Sequence, residues 1–496
     1  MTGANTHGGM GRFIGRTALL ALAAGIAATP AVAQDSAGAD EIIVTAQRRS
    51  ESIQNVPIAI TAVTAETLKK QNVQSVEDYF ALTPNVSFQS NGSRDRKDLA
   101  IRGISNQLNP YADVRQATYA LYIDDFNISA ATSNPQIVDL ERIEILRGPQ
   151  GTYFGRNSVG GAINVSTKKP VNEFEGEFQL DYSSFDTKRA QGTVNVPVID
   201  GILAVRASGQ YEKSDGNIKN INPIGGGNDS KFYTGRIQAR FTPTDNITWD
   251  FLYNYSKETL GMRAGVPTGF VTRTWAGAYY GKPAGYIGDP DGVGFFPEND
   301  DRVNFNRAQS VGTKYDYMTS RLQWDLDVAT LTAVVGRLES DVFNYGDVDG
   351  GSRDFFYEDL KLTRKSTSGE LRLQSNGTNF LDWSVGTAYG KDSGVTNQST
   401  FNGAEITFAC PGGQPCEGLE VTGLDSNSAT RYFALFGQGT LNFTDRLSFT
   451  TGIRYSWEKT RNYSEVRSNE VISDLNDRSA AFEDVSPKFT LSYKAN

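Results

Sequence analysis

The sequence is poor in the side chains that most enzymes and metal proteins use. Its only histidine, His7, lies in a stretch with the features of a removable leader. The rest of the chain therefore has no imidazole for acid–base catalysis or metal binding. A Gly-x-Ser-x-Gly nucleophile motif is also absent. Carboxylate chemistry stays open, but the absences argue against most enzyme classes, and we expect neither an enzyme nor a cofactor.

Cysteine is equally scarce. The chain has two, Cys410 and Cys416, close together in "ACPGGQPC". In an exported protein such a pair predicts one disulfide that closes a small loop. A redox-active pair is the alternative. It is disfavoured because the spacing is not C-x-x-C and no βαβ pattern surrounds it.

The chain has no long apolar run beyond its first residues. Arg12 and Arg16 precede an apolar stretch at 17–29 that is too short to span a bilayer, and "AVA" at 31–33 is a cleavage signal. These features predict a signal peptide at residues 1–33, with an N-terminal membrane anchor as the alternative. Without its two arginines the chain has 46 basic and 57 acidic residues, a net charge of −11. This balance argues against nucleic-acid binding.

Strict alternation of apolar and polar residues is abundant from about Phe174 onward. In "ITWDFLYNYS" one face of a strand carries Ile247, Trp249, Phe251, Tyr253 and Tyr255. A single such strand would also suit a soluble sandwich. Many strands of about ten residues or more, with aromatics near their ends, are instead typical of an outer-membrane barrel. Residues 170–496 are therefore predicted to form about twelve antiparallel strands of such a barrel.

Short and long connections alternate along this region. Tight turns, assigned to the periplasmic side, are predicted at "VIDGI", "TPTDN", "DLD", "SNGTN" and "NFTDR". Long external loops are predicted at about 214–230, 258–314, 342–366, 392–428 and 460–483.

Residues 51–169 have a different sequence pattern, which predicts short, interrupted strands. These are predicted in "NVSFQS", "LAIRGI", "YALYIDD", "LERIEILRG" and "GGAINVST", and a short helix is predicted to begin at Ser75. The segment has the size of a small compact domain, roughly 120 residues.

Three motifs carry a family resemblance. The stretch "LERIEILRGPQGTYFGRNSVGGAINVSTKKP" resembles the plug-to-barrel signature of TonB-dependent outer-membrane receptors, "LAIRGIS" matches another plug motif, and "DEIIVTAQRR" resembles a TonB box. The resemblance implies a 22-stranded barrel that encloses an N-terminal α+β plug at residues 51–169, in the outer membrane of a Gram-negative bacterium. Because barrels in lipid must close, about twelve strands lead us to expect a sequence truncated by roughly ten.

The segment that resembles a TonB box lies in a predicted periplasmic tail, residues 34–50. It is predicted to be a short strand with nothing before it to pair with. The resemblance implies that this strand adds to an edge of TonB, which an inner-membrane complex energises. The alternative, compatible with the first, is a strand tucked against the plug at rest. The box residues are Glu41, Ile42, Ile43, Val44, Thr45 and Ala46.

Two groups of side chains are predicted to contact the substrate. Plug loops "SNGSRD" and "NQLNPYADVR" supply Arg94, Tyr111 and Arg115, because arginine suits anionic chelates. The longest external loop supplies Trp275, Tyr279 and Tyr280. Ordinary solvated loops, or aromatics that pack the loop on itself, are the alternatives.

Two further groups of charged residues suggest sites. Arg142, Glu144 and Arg147 are predicted to pair with barrel-wall carboxylates and lock the plug, with a simple turn at "RGPQG" as the alternative. Acidic loops with Asp289, Asp291, Asp347 and Asp349 suggest calcium. Their EF-hand spacing is incomplete and no helices flank them, so we predict solvated loops and no metal.

The resemblance implies active uptake of a scarce bulky solute, most often a ferric siderophore or another iron chelate. Carbohydrate, cobalamin or an aromatic compound is the alternative cargo. A passive porin or adhesin is disfavoured by the plug and the box. The lack of imidazole favours recognition of a whole chelate over a bare cation. The expected partners are TonB, outer-membrane lipid and the small-molecule substrate, with no nucleic acid.

Overall fold

A computed structural model describes most of the chain as a small N-terminal α+β domain, the plug, and one large antiparallel sheet. This confirms the predicted fold class. The described residues are 42–45, 51–71, 82–90, 97–105, 118–129, 137–262, 301–348, 354–377, 380–405 and 416–495.

The plug is built on a five-stranded mixed sheet of order β3-β8-β9-β6-β7, in which only β6 and β9 are parallel. The strands of that sheet are β3 Ile60–Thr64, β6 Tyr119–Ile123, β7 Phe126–Asn127, β8 Leu140–Arg147 and β9 Gly161–Thr167. Two separate antiparallel pairs join β1 Ile43–Val44 to β2 Glu51–Ser52 and β4 Val86–Ser90 to β5 Lys97–Ile101. A 3-10 turn spans Ile53–Asn55, and the helices in the described part of the plug are α1 Ala65–Lys70 and α2 Gly151–Phe154.

Neither helix was predicted. Thr64 caps the N-terminus of α1, because its hydroxyl accepts a hydrogen bond from the Thr67 backbone N–H. The last turn carries Lys69 and Lys70, whose positive charges are favourable at a helix C-terminus. α2 is a single turn that begins at Gly151, the last residue of "RGPQG". The helix predicted from Ser75 lies outside the described residues.

Among the described residues, no helix combines the length and the apolarity needed to cross a bilayer.

The large sheet contains twelve strands in chain order, each antiparallel to the next, which matches the predicted number. They are β10 Glu175–Ser183, β11 Thr187–Ile199, β12 Leu203–Ser214, β14 Ser230–Thr244, β15 Ile247–Leu260, β17 Ser310–Asp325, β18 Ala329–Asp347, β19 Phe356–Ser375, β20 Leu381–Asn402, β21 Glu420–Asn442, β22 Leu447–Ser468 and β23 Val471–Tyr493. A separate parallel pair joins β13 Lys219–Asn220 to β16 Arg302–Val303.

The two faces of the sheet follow the predicted alternation. Large apolar side chains are exposed on the outer face, such as Ile237 at 51% and Ile453 at 57%. Polar side chains on the inner face are buried, such as Arg236 at 3% and Ser256 at 2%. This arrangement is the reverse of a water-soluble sheet and is typical of a barrel wall in lipid.

The connections agree with prediction at one end of the sheet and differ at the other. The five predicted tight turns join strands at what we call the turn end: residues 200–202, 245–246, 326–328, 376–380 and 443–446. At the opposite, loop end, the predicted loop 460–483 is instead two long strands joined by Asn469 and Glu470, with φ of +49° and +62°. Strands of more than twenty residues exceed the nine to eleven that a bilayer needs. Beyond the lipid both faces can be polar, so the apolar alternation that marks a strand disappears there.

The plug's apolar core is completed by the inner face of the sheet. We call the twelve-stranded sheet the wall. Plug residues such as Ile143 and Ile163 share one apolar cluster with side chains of the wall. Phe126 of the plug is 1% exposed and fits against Gly336, where a Cβ would lie 2.5 Å from its ring. We call the wall residues of this contact the apolar seat: Leu252, Tyr315, Tyr317, Val334 and Leu338.

Candidate functional site

The box segment is residues 41–46, and its described part, residues 42–45, is paired in this structure. Ile43 lies opposite Ser52 and Val44 opposite Glu51, in the antiparallel pair β1–β2. The expectation of an unpaired strand is therefore corrected. Nothing before the strand can pair with it, but its partner, Glu51–Ser52, follows it a few residues later in the chain. The structure has the alternative arrangement, a strand tucked against the plug.

The box segment is held by packing as well as by pairing. The Val44 side chain is fully buried in a plug cluster that includes Val56, Tyr122 and Leu146. The Thr45 backbone N–H donates to a carboxylate oxygen of Glu144 at 2.7 Å, and the Thr45 hydroxyl donates to the same oxygen at 3.0 Å.

The residues predicted to lock the plug to the wall pair within the plug instead. Arg142 pairs with Glu141 and, at 2.8 Å, with Glu144. Arg147 donates to the backbone carbonyl of Pro84 at 3.2 Å. The reason is topological: all of them except Pro84 lie on β8, an interior strand of the plug sheet between β3 and β9. Their side chains therefore meet plug groups before they could reach a wall carboxylate.

A different arginine bridges the plug to the wall. Arg156, which follows α2, pairs with Asp392 on β20 and, at 3.2 Å, with Glu458 on β22. Its guanidinium also lies 3.9 Å from the ring centre of Tyr432. Gly390 leaves the room for that ring, because a Cβ there would lie 2.3 Å from it. We call Arg156, Asp392 and Glu458 the Arg156 bridge.

At other contacts the charges are reversed, and the wall supplies the cation. Arg206 of β12 holds the plug carboxylate of Asp139 through two bonds of 2.7 and 2.8 Å. Arg321 of β17 donates to Asp125 at 3.0 Å. The plug therefore touches the wall through ionic contacts on several sides as well as through the apolar seat.

The exit of the chain from the plug is fixed by Asp124. Its carboxylate accepts bonds from the N–H and hydroxyl of Thr167, at 3.0 and 2.6 Å, and pairs with Lys169. Burial by itself raises the pKa of Asp124, but the Lys169 charge and the Thr167 bonds outweigh it, so the pKa lies below its usual value. The end of β9 is thus tied to the β6–β7 turn just before the barrel strands begin.

Removal of Arg156 should loosen the plug. Arg156→Ala takes the arginine charge away from Asp392 and Glu458, and we expect the plug to lose about 3 kcal/mol of stabilisation. Urea titration with protease protection of the plug as readout measures this.

The matched control is Arg461→Ala. Arg461 pairs with Asp477 at the surface, where the two side chains are 68% and 48% exposed. This pair should contribute less than about 1 kcal/mol. Equal effects of the two substitutions would contradict the Arg156 bridge.

A cavity of about 1150 Å³ separates the plug loop 147–159 from strands β22 and β23. Gly151 in α2 and Ser486 on β23 approach each other beside it: a Cβ on Gly151 would lie 3.9 Å from the Cβ of Ser486. We call it the plug–wall cavity. Its lining includes five cationic side chains, Arg102, Arg147, Arg156, Arg478 and Lys488, and three acidic ones, Glu458, Glu483 and Asp484.

The loop end carries a second ionic cluster that sequence reasoning missed. Arg307 donates to both oxygens of Asp354, at 2.6 and 2.7 Å, and to Glu417 at 2.8 Å, and its guanidinium lies over Tyr357. The bonds with Asp354 raise the pKa of Arg307. The cluster joins three chain connections, next to the disulfide-bonded Cys416. Its members are far apart in sequence, and no local motif marks them.

Several predicted residues lie outside the described part of the chain. They are the six substrate-contact candidates Arg94, Tyr111, Arg115, Trp275, Tyr279 and Tyr280, together with Glu41, Ala46, Asp289, Asp291, Asp349 and Cys410. Within the described ranges, no three or more His, Cys, Asp or Glu side chains are grouped so that they could hold a metal ion.

Comparison with known families gives matches to both domains. Residues 52–162 match the model described as TonB-dependent Receptor Plug Domain, and residues 258–496 match the model described as TonB dependent receptor-like, beta-barrel. The chain belongs to the TonB-dependent receptors. It is an outer-membrane protein, as predicted.

This TonB-dependent receptor has curated relatives of low identity. It is 28% identical to the pesticin receptor of Yersinia pestis over 251 residues, which are 49% of this chain and 36% of that protein. It is 24% identical to the ferrioxamine B receptor of Salmonella typhimurium over 315 residues, 59% of this chain and 40% of that one. The chain thus spans well under half the length of these relatives.

The fold of the receptor resembles that of solved structures. The ferric yersiniabactin uptake receptor from Yersinia pestis matches with a TM-score of 0.72 at 17% identity, covering 88% of this chain and 62% of that one. The likeness supports the arrangement of plug and antiparallel wall described above.

Proposed function

We propose that this receptor takes up a scarce, bulky iron chelate, a ferric siderophore or a similar compound, across the outer membrane with energy supplied through TonB. The observation that carries the proposal is a separate plug seated against the inner face of a membrane-type sheet. A passive pore has no need of such a plug, nor of an N-terminal strand packed outside the plug's main sheet.

The nature of the cargo is supported by two observations. Two of the similar proteins named above are receptors for ferrioxamine B and ferric yersiniabactin. The plug–wall cavity is large enough for a bulky solute and carries five cationic side chains against three acidic ones, which favours an anionic chelate. Carbohydrate, cobalamin or an aromatic compound, carried by the same mechanism, is the alternative. We retain Arg94, Tyr111, Arg115, Trp275, Tyr279 and Tyr280 as proposed substrate contacts.

The box segment is the proposed contact with TonB. It lies near the turn end of the sheet: Thr45 lines a cavity together with Gln323 and Thr330, which flank the turn 326–328. We therefore assign the turn end to the periplasm and the loop end to the outside. Strand addition needs an extended segment with free backbone groups, which residues 42–45 can supply once they leave the plug.

A deletion strain tests the cargo. We expect growth and uptake of radiolabelled iron to fall at least about tenfold with one class of ferric chelate as the only iron source. Growth on carbohydrates in iron-replete medium should not change. The full-length gene should restore uptake. A defect confined to a carbohydrate or to cobalamin would replace the proposed cargo.

A further inference from the structure

The carboxylate of Glu144 lies at the centre of the contacts that hold the box segment. Glu144 is 0% exposed. It accepts bonds from the N–H and hydroxyl of Thr45 at 2.7 and 3.0 Å, from Arg142 Nε at 2.8 Å and from Asn164 Nδ2 at 3.3 Å. A carboxylate can be buried only when such donors satisfy it. Two of its four donors come from one box residue.

We infer that Glu144 is a positioning residue that retains the box segment in the resting plug and competes with TonB for the same backbone. This rests on the proposed function of the box segment as the contact with TonB. Strand addition uses the backbone N–H and C=O groups of the added strand. The Thr45 N–H cannot make a full hydrogen bond to Glu144 and to a partner strand at the same time. Binding of TonB therefore requires the bond between Thr45 and Glu144 to break.

The structure also provides a way for that bond to break reversibly. A polar cavity of about 400 Å³ lies against Thr45, between the plug and the wall. Plug residues Arg142 and Asn164 line it from one side, and Arg321 and Arg372 line it from the wall. When Thr45 leaves, Glu144 faces this polar space instead of an apolar core. Hydration and nearby cations can then replace the lost donors, which keeps the released state accessible.

Glu144 and the packing of Val44 are separate restraints. Val44 is held by apolar contacts that include Val56 and Tyr122, and these do not involve the carboxylate. Loss of Glu144 should therefore free the end of the segment at Thr45 without destroying the plug core. Ile43, whose side chain is 44% exposed, is a suitable place for a spectroscopic label.

The test uses the purified full-length receptor without substrate, with a nitroxide attached through Ile43→Cys. Glu144→Ala should shift the spectrum of the label toward greater mobility, although the packing of Val44 and the pairing of Ile43 with Ser52 still restrain it. It should also strengthen binding of the periplasmic domain of TonB by about tenfold or more, since charge-assisted bonds to Thr45 no longer compete. The matched control is Glu141→Ala, because Glu141 also pairs with Arg142 but its side chain is 44% exposed and it does not bond Thr45.

The outcomes separate this inference from the proposed function. A spectrum that Glu144→Ala leaves unchanged overturns the inference. So does equal mobility in Glu141→Ala. If Glu144→Ala does not fold, Thr45→Val keeps the backbone bond to Glu144 and removes the hydroxyl, which also accepts bonds from Asn164 at 3.0 Å and Arg142 at 3.3 Å, and should give a smaller shift to the mobile spectrum. A mobile label combined with no TonB binding in any variant would support Glu144 as the restraint and reject the box as the TonB contact.

Discussion

Proline at position 44 is expected to abolish energised uptake while the substrate still binds at the cell surface. Val44→Pro removes a backbone N–H and fixes φ, so the box segment could no longer complete a ladder with an edge strand of TonB. Uptake of radiolabelled iron in energised cells should fall to background. Binding of the labelled substrate to the same cells, after their energy supply has been poisoned, should stay at the wild-type level.

A matched control is Ser36→Pro, eight residues upstream in the same tail and outside the box. Because Val44 is also buried in the plug, the amount of receptor in the outer membrane must be measured alongside uptake. Persistent uptake with proline at 44 would show that residues 41–46 are not the TonB contact.

A disulfide between α2 and β23 is also expected to block uptake. Cysteines replacing Gly151 and Ser486 would have Cβ atoms about 3.9 Å apart, within the range that a disulfide spans. The bond would fix the plug loop to the wall across the plug–wall cavity. If the solute passes only when the plug moves from this wall, uptake should fall at least about tenfold in the oxidised variant and recover on reduction.

The control crosslink lies within the wall. Ser448 and Ser492 are opposite each other on β22 and β23, so a disulfide there restrains the sheet but not the plug. Wild-type receptor in reductant controls for the native disulfide of Cys416. Normal uptake through a fully oxidised 151–486 crosslink would mean that this part of the plug stays against β23 during transport.

The wall was predictable because its signal is local. Apolar and polar residues alternate with a period of two along each strand, as at Trp249, Phe251 and Tyr253. This alternation determines which face of the sheet contacts lipid. The tight turns at the turn end were equally local. The parts of the strands that extend beyond the lipid were not predictable in this way. There the backbone ladder continues without an apolar face, so 460–483 resembles a loop in sequence although it is strand.

The contacts of the plug could not be predicted from the sequence for a related reason. Arg142 and Arg156 are both arginines in the same signature, and nothing near them in sequence shows which one meets the wall. The topology decides: Arg142 lies on an interior strand, whereas Arg156 follows α2 and reaches β20 and β22. Likewise Glu144 becomes a partner of Thr45 only when the tail folds back across 99 residues of chain.

The apolar seat has a consequence for the biogenesis of the receptor. The plug precedes the wall in the chain, yet its core is closed by Leu252, Tyr317 and Leu338 of β15, β17 and β18. A newly exported plug would thus expose the apolar surface around Phe126 until those strands have formed. We expect periplasmic chaperones to cover that surface, and the plug to reach its native packing only together with the insertion of the wall.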